Sequence, residues 1–172
     1  MSEAIIRRLA TRPEADIEQL TAVLIDCVEA GASVSFMYPL SHAKASAFWR
    51  GVVDEAAAGR RVLLVASDTT GIVGTVQVLL DLPENQPHRA DIAKMLVHPR
   101  ARRRGIGTAL MRAAEHNARS AGKTLLVLDT ASQDAARIYE RLGWQYVGSI
   151  PDYALWPHGG LCSTSFYYRQ VA

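Results

Sequence analysis

Asp91-Ile92-Ala93-Lys94-Met95-Leu96-Val97-His98-Pro99 runs directly into Arg100-Ala101-Arg102-Arg103-Arg104-Gly105-Ile106-Gly107-Thr108-Ala109-Leu110. This reads as a strand stopped by Pro99, an arginine-dense loop with two glycines, and a helix beginning at or just after Gly105. Ile106, Ala109, Leu110, Ala113 and Ala114 recur at helical spacing, with Arg112, Glu115, His116 and Arg119 opposite them. The first N–H groups of such a helix have no intrahelical partner, and with the helix dipole they turn positive potential toward the loop. Glycine lets a ligand come close to the main chain, because no Cβ stands in the way. Four arginines in five positions repel one another unless an anion or solvent screens them. The stretch predicts a phosphate seat.

Spacing narrows the kind of seat. A P-loop needs Lys after its last glycine, and Thr108 follows Gly107. A dinucleotide fingerprint needs a third glycine where Leu110 stands. An arginine-rich surface loop before an ordinary helix is the plainer alternative, and it leaves the ordered sequence of strand, Pro stop, glycines and helix unexplained.

Outward from the seat, Gly122 stops the helix and Lys123 to Thr130 is a nearly continuous apolar run, predicting a central strand buried on both faces. Strand, helix, strand makes a βαβ unit, so this strand should run parallel to Asp91–Val97. Asp134 is expected to cap a short helix with Ala135, Ile138, Tyr139 and Leu142 on one stripe and Gly143 as its end. Trp144 to Ile150 and Ser163 to Val171 supply two last strands, and Pro151 to Cys162 reads as a loop. On the N-terminal side, Ala4 to Leu9 is a short strand. Pro13 starts a helix with Ile17, Leu20, Leu24, Cys27 and Val28 inward, and Gly31 ends it. Gly31 to Leu40 is a loop able to line a pocket or merely to connect. Ser41 to Ala58 is a helix with Ala45, Phe48, Trp49, Val52 and Val53 inward. Val62 to Ala66 and Ile72 to Leu80 form a hairpin around Asp68-Thr69-Thr70-Gly71, and Arg89 to Val97 completes a meander. The fold class is α+β: one domain over residues 1–172, with a central mixed sheet of about six to seven strands. An antiparallel N-terminal meander and a parallel pair at the βαβ seat make up that sheet, and four helices flank it.

Composition sets bounds. With 172 residues, 49% hydrophobic and 21% charged, one core can bury roughly 70% of the unfolded surface. A net charge of +2 argues against nucleic acid as partner, while a local basic excess suits a small polyanion. No apolar run approaches the roughly 18 residues of a membrane span, and no signal-peptide core is visible. Two distant cysteines give no disulfide framework, and the five histidines show no pair at metal-ligand spacing, so no metal is expected. A cytoplasmic protein is the expectation.

The residues Arg102-x-x-Gly105-x-Gly107, after Met95-x-Val97-x-Pro99, resemble the acyl-CoA signature of the GNAT N-acetyltransferases. Ala136 to Trp144 resembles that family's pattern of a Tyr followed by x-x-Leu-Gly-aromatic. Within the family the likeness is to tabtoxin-resistance acetyltransferases, carried by Gly31-Ala32-Ser33-Val34-x-Phe36-Met37, Arg89-Ala90-Asp91-x-x-Lys94-Met95-Leu96-Val97 and Leu128-Asp129-Thr130. The resemblance implies that acetyl-CoA is the cosubstrate. Its pyrophosphate would sit on Arg102, Arg103, Arg104, Gly105, Ile106, Gly107 and Thr108. Its pantetheine would lie along Met95, Leu96 and Val97, with Ala136 and Tyr139 beside it. Asp91 and Asp129 would serve as catalytic acids that free the amine of its proton, and Tyr139 would return one to the CoA sulfur. Ser33, Phe36, Tyr153 and Trp156 would meet the acceptor. Cys162 is the thiol most able to be exposed, yet direct attack needs no cysteine nucleophile.

Two departures from the family pattern stand out. Gln133 occupies a place where many members carry Asn, and Asp91 replaces the more usual Glu, so its shorter reach calls for a bridging water. The implied partner is a small-molecule amine, with amino-acid-like toxins and antibiotics in the class, and a homodimer is compatible with the likeness. A protein amine as acceptor, or a non-catalytic acyl-CoA-binding module, are the alternatives.

Overall fold

The computed structural model describes residues 4–11 and 13–172. The chain runs β1 (Ile5–Leu9), α1 (Glu14–Glu29), α2 (His42–Ala57), β2 (Arg61–Asp68), β3 (Gly71–Leu79), β4 (Arg89–Val97), a 3-10 turn (Pro99–Ala101), α3 (Ile106–Ser120), β5 (Leu125–Thr130), α4 (Gln133–Arg141), β6 (Gln145–Leu155) and β7 (Leu161–Gln170). Seven strands form one sheet in the order β1-β2-β3-β4-β5-β7-β6. The first four pair antiparallel as a meander, and β4 and β5 pair parallel across the α3 crossover. The expected mixed sheet with four flanking helices is what the chain builds.

Two apolar layers hold it. Ile17, Leu20, Leu24, Trp49 and Val53 of α1 and α2 pack on Leu63, Val65, Ile72 and Leu96 from one face. Ile106, Leu110, Met111 and Ala114 of α3 pack on Val62, Leu64, Val76, Leu126 and Leu128 from the other. Period-two alternation along the strands sends neighbouring residues to opposite layers. Buried Glu115 of α3 accepts Trp144 Nε1 at 2.9 Å and Arg169 Nη1 at 3.1 Å, tying α3 to the C-terminal strands. Among the described residues no helix is long and apolar enough to cross a membrane.

Three expectations change. β5 is buried on one face: Leu126 and Leu128 are covered by α3, while Leu125, Val127 and Asp129 look onto a face that α1 and α2 do not reach. Apolarity alone cannot distinguish a strand covered twice from one covered once and facing a cleft. The cap of α4 is Ser132, whose Oγ accepts Ala135 N–H at 3.2 Å, and Asp134 falls in the first turn, where the dipole favours its charge. Finally, β6 continues through Pro151 to Leu155, so the expected loop contracts to the turn at residues 156–160. An edge strand tolerates proline, and the register shift between Ile150 and Ala154, with Asp152 at φ 53°, absorbs the irregularity as a bulge.

Candidate active site

The site begins where two strands part. β4 pairs with β5 only at Arg89↔Leu125, Ala90↔Leu126 and Asp91↔Val127. Beyond that rung β4 stays with β3, while β5 follows β7 through Asp129↔Phe166 and Thr130↔Ser165. The register of β4 against β3 shifts by one between Thr75 and Gln77, and Lys94 takes a left-handed φ of 51° there. Such a bulge bends a strand and re-aims its side chains. His98 N–H donates to Val73 O at 2.8 Å. By alternation, Met95 and Val97 therefore turn their backbone N–H and C=O away from β3, toward the opening. Val97 O confirms the direction: it accepts Arg102 Nε at 3.4 Å and the Cys27 thiol at 3.6 Å.

An open cleft of about 810 Å³ runs through this gap between the two faces of the sheet. On the α3 side it is lined by Arg102, Arg103, Gly105 and Thr108, with Arg137 and Arg141 of α4 across from them. Gly105 caps α3 in the left-handed region at φ 76°, and Arg103 also has positive φ, 62°. A Cβ on Gly105 would meet nothing within 4 Å, so the loop's approach to the helix amides is open. The four arginines divide. Arg104 pairs with Asp68 at 2.9 Å, and Arg100 donates to Thr70 Oγ1 at 2.5 Å, so both are anchored to the β2–β3 turn. Arg102 and Arg103 are left to the cleft. Asp68 also accepts Thr70 N–H, and the Thr70 bonds and Arg104 hold its carboxyl well below the usual carboxylate range.

The middle of the cleft holds the reactive groups. Tyr139, 4% exposed, packs against Trp144 and Tyr167 at ring distances of 6.0 Å. Its hydroxyl has no hydrogen-bond partner among the described residues and its side chain lines the cleft. Burial, then the charge of Asp129 and the neighbouring Tyr167, raise its phenol above the ordinary range, so it stays protonated. Thr164 donates to Asp129 Oδ2 at 2.8 Å, and the other carboxylate oxygen stays open to the cleft. Lys94 Nζ donates to Ser35 Oγ at 3.1 Å; desolvation lowers its pKa and the charge of Asp129 opposes that shift.

Toward the α1 side, Ser33, Val34, Ser35, Tyr153 and Trp156 complete the walls. The loop at residues 31–40 is roped to the β6–β7 turn: Ser33 Oγ donates to Leu155 O at 3.4 Å, Tyr38 N–H to Pro157 O at 2.9 Å, and His158 Nε2 to Glu29 O at 2.8 Å. The bulge in β6 brings Tyr153 to this wall.

Most of the residues singled out in the sequence meet here, and four do not. Asp91 lies outside the cleft lining and is ion-paired with Arg89. It shares a sheet face with Asp129 but sits in register with Val127, two residues or roughly 6.6 Å short of it along the strand. Phe36 points into the α1–α2 layer, edge-on to Phe48 at 5.2 Å. Arg104 is turned to Asp68 as described, and Ala136 packs against the core while Ala135 lines the cleft. Gly107 is where α3 passes close to α4: a Cβ there would lie 2.9 Å from Ile138 Cδ1, so the end of that side chain would have to shift. The sequence reading missed Lys94, Thr164, Arg137 and Arg141. Lys94 carried a signal, a lysine inside the apolar run from Ile92 to Val97; Thr164 did not, since only the β5–β7 register brings it to Asp129.

Comparison with known proteins agrees with this architecture. A family model described as an acetyltransferase (GNAT) domain matches residues 59–146. An uncharacterised N-acetyltransferase from the hisH–hisA intergenic region of Azospirillum brasilense is 28% identical over 131 residues, 75% of this chain and 76% of that protein. Among solved structures, a phosphinothricin acetyltransferase from Sinorhizobium meliloti in complex with acetyl-CoA superposes with a TM-score of 0.79 at 20% identity, over 97% of this chain and 88% of that one. A ribosomal-protein-alanine N-acetyltransferase from Brucella melitensis does so at 0.78 and 21%, over 96% and 99%. One neighbour is named for a small amine and the other for a protein, so the shared fold leaves the acceptor to the cleft walls.

Proposed function

The chain belongs to the GNAT family of acetyltransferases, and from that premise we propose that it moves the acetyl group of acetyl-CoA onto the primary amine of a small molecule. The amine is of the amino-acid-like toxin or antibiotic kind, the reaction is direct attack, and residues 1–172 act as one catalytic domain in the cytoplasm. One observation carries the reading. A single opening in the sheet holds helix-terminal amides and arginines on one side, and Asp129 and Tyr139, each with an open oxygen, in its middle. The likeness to tabtoxin-resistance acetyltransferases supports the acceptor class.

Amide formation from a thioester needs a neutral amine, a polarised carbonyl, a proton for the departing sulfur, and alignment. An aliphatic amine is mostly protonated at neutral pH. Asp129 accepts its proton, directly or through water, with Thr164 fixing one carboxylate oxygen and leaving the other for the task. Asp91 acts at one remove, its pair with Arg89 steadying the last rung before the strands part. The N–H groups of Met95 and Val97 aim at the opening and stabilise negative charge growing on the carbonyl oxygen. Tyr139 donates a hydrogen bond to the sulfur. A phenol raised by burial is a weaker acid than a thiol, so it keeps no negative charge: the first proton of the ammonium goes to Asp129, and the second, lost as the amide forms, replaces the one Tyr139 passes to the sulfur. The amides from Arg102 to Thr108, with Arg102 and Arg103, take the pyrophosphate, as the unobstructed approach at Gly105 allows. Both thiols touch the cleft, and their burial argues against either as the nucleophile of an acyl-enzyme. Burial pushes Cys27 up to about 11, against the pull of nearby Arg102, and Cys162 is buried against Ser33.

The test is release of free CoA from acetyl-CoA against a panel of amino acids, polyamines, aminoglycosides and β-lactam amino acids. Turnover with at least one small amine is expected. Transfer confined to protein or peptide amines overturns the acceptor class, and CoA binding without any transfer overturns catalysis.

A further inference from the structure

Lys94 is a charged residue in the middle stretch of β4 that lines the cleft and that the proposed reaction does not use. It stands at the bulge of β4 in a left-handed conformation, which a lysine adopts only at a cost that the surroundings must offset. The bulge points the chain out of the sheet's regular alternation and into the opening between β4 and β5. Half-buried, its ammonium meets one neutral partner, Ser35 Oγ, and forms no ion pair among the described residues. Among the cations near this region, Arg89 is answered by Asp91 and Arg104 by Asp68, while Arg102 and Arg103 face the phosphate end of the cleft. A half-buried cation beside a neutral hydroxyl is only partly compensated until an anion joins it. Asp129, which would face the reacting amine, is close enough to act on Lys94 electrostatically without closing into a pair. The two charges thus present a plus and a minus, separated, to whatever enters from the α1 side.

Resting on the small-amine reading, we propose that Lys94 is a specificity-determining residue, an anion seat that selects acceptors carrying a carboxylate or like oxyanion beside the amine. Ser35 orients the ammonium, and the acceptor's anion takes the place that no protein carboxylate fills. Asp129 meets the amine of the same molecule. A zwitterion complements the pair of charges; an uncharged-tail amine leaves Lys94 unanswered, and a polyamine repels it.

Matched pairs test this. kcat/KM would be measured for L-phenylalanine against phenethylamine and L-methionine against 3-(methylthio)propylamine, in the wild-type protein, Lys94→Met and Lys94→Arg, with acetyl-CoA affinity followed by calorimetry. Wild type is expected to favour the carboxylated member of each pair by tenfold or more. Lys94→Met should erase that preference, mainly through KM, while changing phenethylamine turnover and acetyl-CoA affinity less than about threefold. Lys94→Arg should restore part of it. A preference that survives in Lys94→Met overturns the assignment to Lys94, as does an equal loss on both members. A wild-type preference for the decarboxylated amines overturns the anion seat. No turnover with either member of any pair, or with any amine of the wider panel, sinks the small-amine reading and the seat with it.

Discussion

Tyr139 offers the cleanest residue-scale experiment, because its hydroxyl bonds to none of the described residues and its removal orphans none of them. Tyr139→Phe should lower kcat by about 10²-fold, the usual scale for losing a general acid, with acetyl-CoA affinity and denaturant midpoint nearly unchanged; wild-type kcat would return the ring to a packing role. The two acids should separate in the same assay. Asp129→Asn is expected to reduce kcat for amine transfer at least tenfold, with partial recovery as rising pH deprotonates the acceptor unaided. Asp91→Asn loses the pair with partly exposed Arg89, worth roughly 0.2–1 kcal/mol, and should change kcat only a few-fold. Equal kinetic losses would put both carboxylates at the reacting amine. Why the sequence joined them is plain. An acid inside a strand is a visible anomaly, and two such acids on strands expected to be neighbours look like a dyad. The rung at Asp91↔Val127 is invisible until the strands are laid in register.

The phosphate loop shows what is legible at the scale of an element. Proline stop, glycines and helical stripe located the strand, loop and helix to within a residue or two, since each signal is local. Whether an arginine faces ligand or protein is not local. The alternation of Arg100 and Arg104 to the β2–β3 turn, and of Arg102 and Arg103 to the cleft, depends on Asp68 and Thr70, about thirty residues upstream. Asp68→Ala should therefore loosen the loop and raise KM for acetyl-CoA several-fold while leaving kcat alone; an unchanged KM would show that the loop holds its shape without the turn. The glycines should part company as well. Gly105→Ala forces a Cβ into the left-handed region at a cost of roughly 1–2 kcal/mol, with space around it. Gly107→Ala presses on the end of the Ile138 side chain and on the α3–α4 contact. The long β6 was the element least legible, since Pro151, read as a break, outweighed the edge position that tolerates it.

At the scale of the molecule, the mixed sheet and its helical layers followed from periodicity. The hidden part was which face stays uncovered, because coverage depends on helix placement and not on strand composition. Global stability carries one signature of the cleft wall. Cys27 loses its proton near pH 9 when the chain is unfolded and near 11 when folded, so the unfolded state binds fewer protons between those values. Stability should fall as pH rises from 9 toward 11, by up to about 2.7 kcal/mol at 1.36 kcal/mol per unit. Urea midpoints at pH 8 and 11 should fall less in Cys27→Ala; an identical fall would remove the thiol from the account. The parting of β4 and β5 has a mechanical consequence. Through the sheet, the β1–β4 half holds the β5–β7 half by the short seam of residues 89–91 on 125–127, with α3 as the outer splint. A molecule lying along Met95–Val97 would work as a missing suture, bearing load across a joint that the chain itself leaves unstitched. The amide hydrogens of Met95 and Val97, which face the opening, should then exchange faster than that of His98, which is bonded to Val73 O, and should slow most when CoA is bound, marking the joint as the line along which the fold first yields.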